Sequence, residues 1–395
     1  MALVRMSWAS DIQPDLLIAG QKSRPPQIEV DEAPAIERAI ARTEVVPSLV
    51  VLRPFAAGAK GLRIKVGRAI PTSGFALGPE FVRRDLALGR VMVRASARAS
   101  MNRYLHIDAE FALPRLAGDH AFVNLLATHR NYPQLLYFGQ GQNSDVHNIS
   151  NYRLEDTSAE FTAGLRAFDV LRIGATAGYV KVNIGPGTSD LRPSTYQNFT
   201  STNTPGLHQQ PNFATGGGFV EVDYSDLPGS PSSGGIYSAR FNNFVDQWLG
   251  AYSFRRLDVD LRQYLPFFSK QRVIALRAYT ALTDSTTGRS IPFYLQPTLG
   301  GPDTLRGFRP FRFYDNNMMF FNGEYRFKVS SGLMAVLFAE GGKVFHRRGD
   351  FHFRDLQASY GGGLRTNLRG NVFMRVEVGC SHEGCQGWLR FNNMF

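Results

Sequence analysis

Gly89-Arg-Val-Met-Val-Arg-Ala-Ser-Ala-Arg-Ala-Ser100 reads as an extended segment with two unlike faces. Val91, Val93, Ala95, Ala97 and Ala99 occupy the odd positions, while Arg90, Arg94, Ser96 and Arg98 fill the even ones. Successive side chains of a strand point to opposite sides, so one side is oily and the other charged. Leu105, Ile107, Ala109, Phe111 and Leu113 alternate in the same way with His106, Asp108 and Glu110. Further along, Arg256, Asp258, Asp260 and Arg262 oppose Leu257, Val259 and Leu261. Glu324, Arg326 and Lys328 oppose Met319, Phe321, Tyr325, Phe327 and Val329, and Arg375 and Glu377 oppose Val372, Met374, Val376 and Val378. A soluble sheet would bury its oily face, but the chain has little else to pack there. The pattern predicts an all-β fold: a transmembrane antiparallel β-barrel with lipid outside and water within. An unpaired charge facing lipid at mid-bilayer costs about 2–4 kcal/mol, which turns the charged faces inward.

Composition agrees with this reading. Mean hydropathy is −0.20, and no run approaches the roughly 18 apolar residues of a membrane helix. A charged lumen face dilutes the hydropathy of a barrel. The 39 glycines and 30 phenylalanines suit tight turns and aromatic girdles. The net charge of +11 raises nucleic acid as a partner. The arginines are interleaved with carboxylates, however, so anionic lipopolysaccharide or an anionic client is expected and nucleic acid is not. Cys380 and Cys385 flank Ser-His-Glu-Gly at the tip of the last hairpin. A local disulfide is expected there; a metal site using His382 lacks a fourth ligand.

Residues 1–72 differ from the rest. Pro25, Pro26, Pro34 and Pro47 punctuate them, and Ala35–Ala41 could form a short helix. They are read as a periplasmic extension or linker with too little apolar material for a core. Met1–Gly20 has no sustained apolar stretch of the secretory type; a periplasmic route then implies a start upstream or an excised piece. Residues 73–395 are read as the barrel. Sixteen strands are counted between 74–84 and 386–395, with 119–130 and 134–141 taken as two. If the first hairpin points outward, the long connections Gly185–Gly216 and Asp284–Asp315 lie outside, while the turns at Met101–Asn102 and Ala167–Phe168 lie at the periplasmic end. The first long loop, rich in Pro, Gly, Ser, Thr and Asn, is expected to be mobile.

The connection before the twelfth strand reads Leu299-Gly-Gly-Pro-Asp-Thr-Leu-Arg-Gly-Phe308, then Arg309-Pro310-Phe311-Arg312. Two glycines and a proline favour a compact turn. An arginine between Leu305 and Phe308 suits burial, and burial demands carboxylates. Glu324 and Glu340 follow on the next strands with lumen-facing parity. The loop is therefore expected to fold inward and dock Arg306 on Glu324 and Glu340. The alternative is a surface loop whose arginine meets water.

This segment resembles the inward-folded loop of the bacterial surface-antigen superfamily, the BamA/TamA-type outer-membrane assembly barrels (outer membrane protein 85 superfamily). The family's Val-Arg-Gly-Phe/Tyr tetrad is matched by Leu305-Arg306-Gly307-Phe308, and its Glu-x-Arg strand by Glu324 and Arg326. Its Phe-x-Asp-x-Gly strand is matched by Phe338-Ala-Glu340-Gly-Gly342, where glutamate replaces aspartate and lengthens the arm. Tyr132-Pro133, Tyr137 through Gly141, and Asp223 through Gly234 also fit the family pattern. The resemblance covers about residues 74–395. It implies a sixteen-stranded barrel in the bacterial outer membrane, closed by a weak seam between first and last strands. It also implies periplasmic POTRA domains that receive clients, for which residues 1–72 show no convincing pattern.

Gly387-Trp-Leu-Arg-Phe391-Asn-Asn-Met-Phe395 resembles the terminal signal by which barrels are recognised for insertion. Asn393 stands where an aromatic residue is more usual; it either softens the seam or marks an imperfect signal. Enzymatic patterns are weak. Gly229-Ser-Pro-Ser-Ser-Gly234 is not a nucleophile elbow, and Gly139-x-Gly141 lacks the following helix of a phosphate cradle. Asp258 and Asp260, flanked by Arg256 and Arg262, read as a lumen salt-bridge ladder. The expectation is a protein without enzymatic activity or cofactor, which inserts or translocates polypeptides. Its expected partners are membrane lipid, lipopolysaccharide, unfolded or translocating polypeptide clients, and periplasmic or lipoprotein partners. A passive or gated channel, or the barrel half of a larger surface protein, are the competing readings.

Overall fold

The computed structural model describes residues 61–68, 70–227, 229–268, 271–286, 288–330, 332–368 and 371–391. Among the described residues sixteen strands form one antiparallel sheet, and each is hydrogen-bonded to its neighbours in sequence order. The first six are β1 (Leu62–Gly67), β2 (Ala76–Leu86), β3 (Val91–Ser100), β4 (Leu105–Leu116), β5 (Ala121–Tyr137) and β6 (Ser150–Phe168). Then come β7 (Leu171–Pro186), β8 (Asn212–Asp223), β9 (Gly234–Asp246), β10 (Phe254–Phe267) and β11 (Arg272–Ser285). The last five are β12 (Asn317–Ser330), β13 (Leu333–Phe345), β14 (Gln357–Leu368), β15 (Asn371–Ser381) and β16 (Gly384–Phe391). The edge strands come near each other: the Arg68 guanidinium lies 5.9 Å from the Trp388 ring centroid. Among the described residues no ladder joins β1 to β16.

The two faces of the sheet are inverted relative to a water-soluble protein. Glu80, Glu110 and Glu377 are at most 2% exposed, whereas Leu77, Leu165 and Leu337 are more than 50% exposed. Charges are tolerated on the concave side because neighbouring strands present opposite signs to one another. Arg94 reaches Glu110 at 2.9 Å and Asp108 at 3.0 Å, and Arg277 reaches Asp260 at 2.9 Å. The expected ladder around Asp260 needs one revision. Arg262 pairs with Asp260 at 2.7 Å, but Arg256 instead donates to the Leu295 carbonyl and to Thr283. Asp258 accepts a hydrogen bond from Tyr279 at 2.6 Å.

Four expectations are corrected. Residues 119–130 and 134–141 are not two strands, because β5 runs unbroken to Tyr137 with a register shift between Tyr132 and Leu135. A bulge accommodates Pro133, which has no N–H to give to a ladder. The sheet also begins earlier than expected, since β1 lies within the range read as linker; the other residues of 1–72 that carry no description, including the expected helix Ala35–Ala41, lie outside the described residues. One strand gained and one lost leave the total unchanged but move the turn at Met101–Asn102. It closes β3 to β4, at the same end as the long connections. The long loop after β7 is packed, not loose: a turn of helix at Thr195–Asn198 is capped by Ser194, and Phe199 and Leu207 are buried. Its polar composition concealed these apolar anchors.

The connections still sort by end. The connections 138–149 and 187–211 are long and share one end with the link between β11 and β12, while 87–90, 117–120 and 169–170 at the other end are short and 224–233 is longer. The exposed apolar face carries a direct consequence. Leu261→Arg, near the middle of β10, should destabilise the protein in phospholipid vesicles by about 2–4 kcal/mol, read from urea midpoints. On a water-facing surface the same change would stay within about 0.5 kcal/mol.

Candidate functional site

The connection between β11 and β12 folds back over the charged face of the sheet. Its base is closed by a two-residue ladder, Thr298 with Tyr314 and Leu299 with Phe313. Gly300 and Gly301 follow with φ of 109° and 94°, a left-handed conformation that favours glycine. The Gly301 N–H then donates to the carbonyls of Leu305 and Phe308, both at 3.1 Å, which winds the tip into a compact knot. Leu305 and Phe308 are fully buried, and the Phe308 ring meets Phe313 at 5.2 Å and His382 at 5.3 Å.

This knot aims Arg306 at the inner face of β12, β13 and β15. Its Nε donates to Glu340 Oε1 at 2.6 Å and its backbone N–H to Glu340 Oε2 at 2.7 Å. Its terminal nitrogens lie 3.0 Å from Glu324 and 3.4 Å from Glu377. The guanidinium carbon sits 3.4 Å from the centre of the Phe338 ring. Ser359 of β14 donates to Glu340 at 2.6 Å, and Trp388 Nε1 of β16 donates to the Arg306 carbonyl at 2.7 Å. The loop therefore touches all five final strands through one residue and its nearest partners. Burial of so many charges is tolerable only because each has a partner. Arg365 supplies the balance, reaching Glu324 at 2.8 Å and Glu377 at 2.6 Å.

Gly307 leaves no space for a side chain: a Cβ there would lie 2.6 Å from the Cys380 carbonyl group. Gly379 is equally tight against the Arg306 carbonyl. The last hairpin thus cradles the loop backbone, and Ser381 Oγ donates to the Gly307 carbonyl at 2.8 Å. Cys380 and Cys385 face each other across this hairpin and are joined in a disulfide. Arg312 adds a second tie, donating to Glu383 at 2.8 Å and to Ser144 Oγ at 2.8 Å. On the opposite wall, Tyr314 donates to the Leu136 carbonyl at 2.7 Å and packs edge-on against Tyr137 at 5.0 Å. The loop spans the interior from β5 to the final strands.

Glu324 and Glu340 are brought together with Arg306 from the positions that parity assigned them. Glu377, Arg365, Ser359 and Trp388 were missed as members of this site. Glu377 was readable as inward-facing, but nothing local reveals that β15 passes the loop tip. Gly387 pairs with Val378, and Phe391 pairs with Met374 on the last strand, close to Gly67 of β1. Phe395 lies outside the described residues.

A family model described as the Omp85 superfamily domain matches residues 91–368. Among solved structures, BamA from Haemophilus ducreyi lacking POTRA domains 1-3 is similar with a TM-score of 0.62 at 13% identity; the match covers 84% of this chain and 70% of that one. CdiB from Escherichia coli is similar with a TM-score of 0.55 at 15% identity, covering 84% of this chain and 60% of that one. At these identities the likeness is one of fold. The chain thus spans less than two thirds of the length of CdiB. No curated protein matches the chain by sequence.

Removing Arg306 would leave three buried carboxylates short of a cation. Arg306→Ala should cost about 3–5 kcal/mol, measured by urea unfolding or by loss of heat-modified gel mobility. Arg309→Ala, at an exposed position of the same loop, should stay within about 0.5 kcal/mol. Equal behaviour of the two variants would remove the special place of Arg306.

Proposed function

Because this chain belongs to the Omp85 superfamily, we propose that its sheet closes as a transmembrane barrel in the bacterial outer membrane and inserts or translocates polypeptides there. The observation that carries the proposal is the contrast between a braced wall and an unladdered seam. Arg306 and its partners tie β12 to β16 into one unit, while β1 and β16 are neighbours without a shared ladder among the described residues.

The exposed apolar face supports the membrane part of this reading, since water would disfavour so continuous a greasy surface. The orientation follows the barrel rule that long loops lie outside and short turns lie toward the periplasm. The mechanism needs no covalent chemistry. Strand edges carry unpaired N–H and C=O groups, and an incoming segment can satisfy them by adding as a strand. If the seam parts, β16 keeps its geometry because Trp388 holds the loop carbonyl and Cys380–Cys385 clips the hairpin. The edge offered to a client is thus preformed, which lowers the ordering cost of pairing. A loop filling the lumen also opposes a wide passive pore.

Locking the seam tests the reading. Arg68→Cys and Phe391→Cys, joined by a short bis-maleimide, should abolish insertion of a urea-unfolded barrel polypeptide into vesicles containing this protein. Each single variant carrying the same reagent should insert it at the unmodified rate. Unchanged insertion across a verified crosslink would overturn the lateral mechanism.

A further inference from the structure

Arg365 of β14 is the direct ladder partner of Arg375 of β15, and Arg375 is in turn the partner of Arg390 of β16. Three guanidinium groups therefore stand side by side at one height of the inner wall. All three line a cavity of about 360 Å³ inside the sheet. Like charges directly opposite one another on a sheet are destabilising, and an arginine cannot relieve this by losing its proton.

The outer two are compensated. Arg365 holds Glu324 and Glu377, while Arg390 holds Glu377 at 2.7 Å and Asp303 at 3.0 Å. The middle one is not. Among the described residues no carboxylate lies in ion-pair range of Arg375, and its Nε is closed from solvent with no hydrogen-bond partner. The Nε of Arg390 is also without a partner. The other carboxylates of the cavity are already engaged: Asp260 by Arg262 and Arg277, Glu340 by Arg306, Glu221 by Arg172, and Asp223 by the N–H and hydroxyl of Ser225. Nothing in the Arg306 site requires Arg375, so its presence between two other arginines has no structural explanation within the chain.

We propose that the Arg365–Arg375–Arg390 row is a binding site for a small oxyanion, a phosphate or carboxylate group held in the cavity mainly by the Arg375 fork. A planar guanidinium presents paired donors matched to such oxygens, and the flanking arginines supply further positive potential. The engaged carboxylates around the cavity repel polyanions, which restricts the occupant to a single small group. Rows that violate local rules without internal compensation are expected where a ligand supplies the missing partner.

The test uses the detergent-solubilised protein titrated with inorganic phosphate, and separately with acetate, against sodium chloride at matched ionic strength. One saturable site per chain by calorimetry, with a rise in Tm, is expected for at least one oxyanion; the stronger of the two identifies phosphate or carboxylate as the natural group. No saturable binding of either would overturn the proposal. Arg375→Gln should lose the oxyanion-dependent rise in Tm yet melt higher than the unmodified protein in chloride, because repulsion along the row is relieved. A merely structural arginine would give the opposite sign. Arg272→Gln, on an exposed cation at the end of β11, should retain the full response. An equal oxyanion response in Arg375→Gln would place the ion elsewhere. Should that variant fail to fold, Arg375→Lys keeps the charge without the fork and should weaken binding about tenfold, with unchanged affinity overturning the assignment.

Discussion

The structure depends on a single constraint of polarity: sixteen strands present grease on one side and charge on the other. The backbone is satisfied laterally by the ladders, which leaves the side chains to choose the two environments. Carboxylates and arginines line the charged face mostly as partners of opposite sign on the same or neighbouring strands, as Arg94 is to Glu110. The outer leucines and phenylalanines make no such demand, and their exposure needs an apolar solvent. Under the proposed membrane reading, lipid outside and a polar interior follow together, since neither face tolerates the other's surroundings.

Within that frame the inward loop acts as a cross-brace. Arg306 could be buried by apolar packing alone only at a prohibitive cost, so three carboxylates on three strands converge on it. Convergence has a mechanical result: β12 to β16 are fastened at one point, and Tyr314 fastens the same loop to the β5 wall. The clipped hairpin at Cys380 and Cys385 forms the seat into which Gly307 fits without room for a methyl group. The sheet's two edge strands, β1 and β16, lie beside this braced region. A wall cross-linked up to its last strand, with no ladder joining β1 to β16 among the described residues, differs from a uniform pore, where every seam is alike.

Much of this was legible in the chain. Alternation in Gly89–Ser100 and Leu105–Leu113 indicated strand, face and solvent, because a period of two leaves only one assignment for each residue. The same parity put Glu324 and Glu340 on the wall that meets Arg306. Legibility failed where a local signal competed with tertiary context. Pro133 looked like a strand break but sits in a bulge, and the polar loop after β7 hid Phe199 and Leu207, which anchor it. The short β1 lacked enough residues to show alternation above its proline-rich surroundings.

By itself the sequence determined the all-β class, which residues of each strand lie on the apolar face and which on the charged face, and the arginine loop with two of its carboxylates. These depend on short-range periodicity and on motifs a few residues long. Only the tertiary structure decided that Glu377 completes the Arg306 site, that Trp388 ties the last strand to the loop, and that Arg365, Arg375 and Arg390 stand in one row. Register between strands sets those contacts, and register arises from hydrogen bonding between distant segments, which no local pattern records.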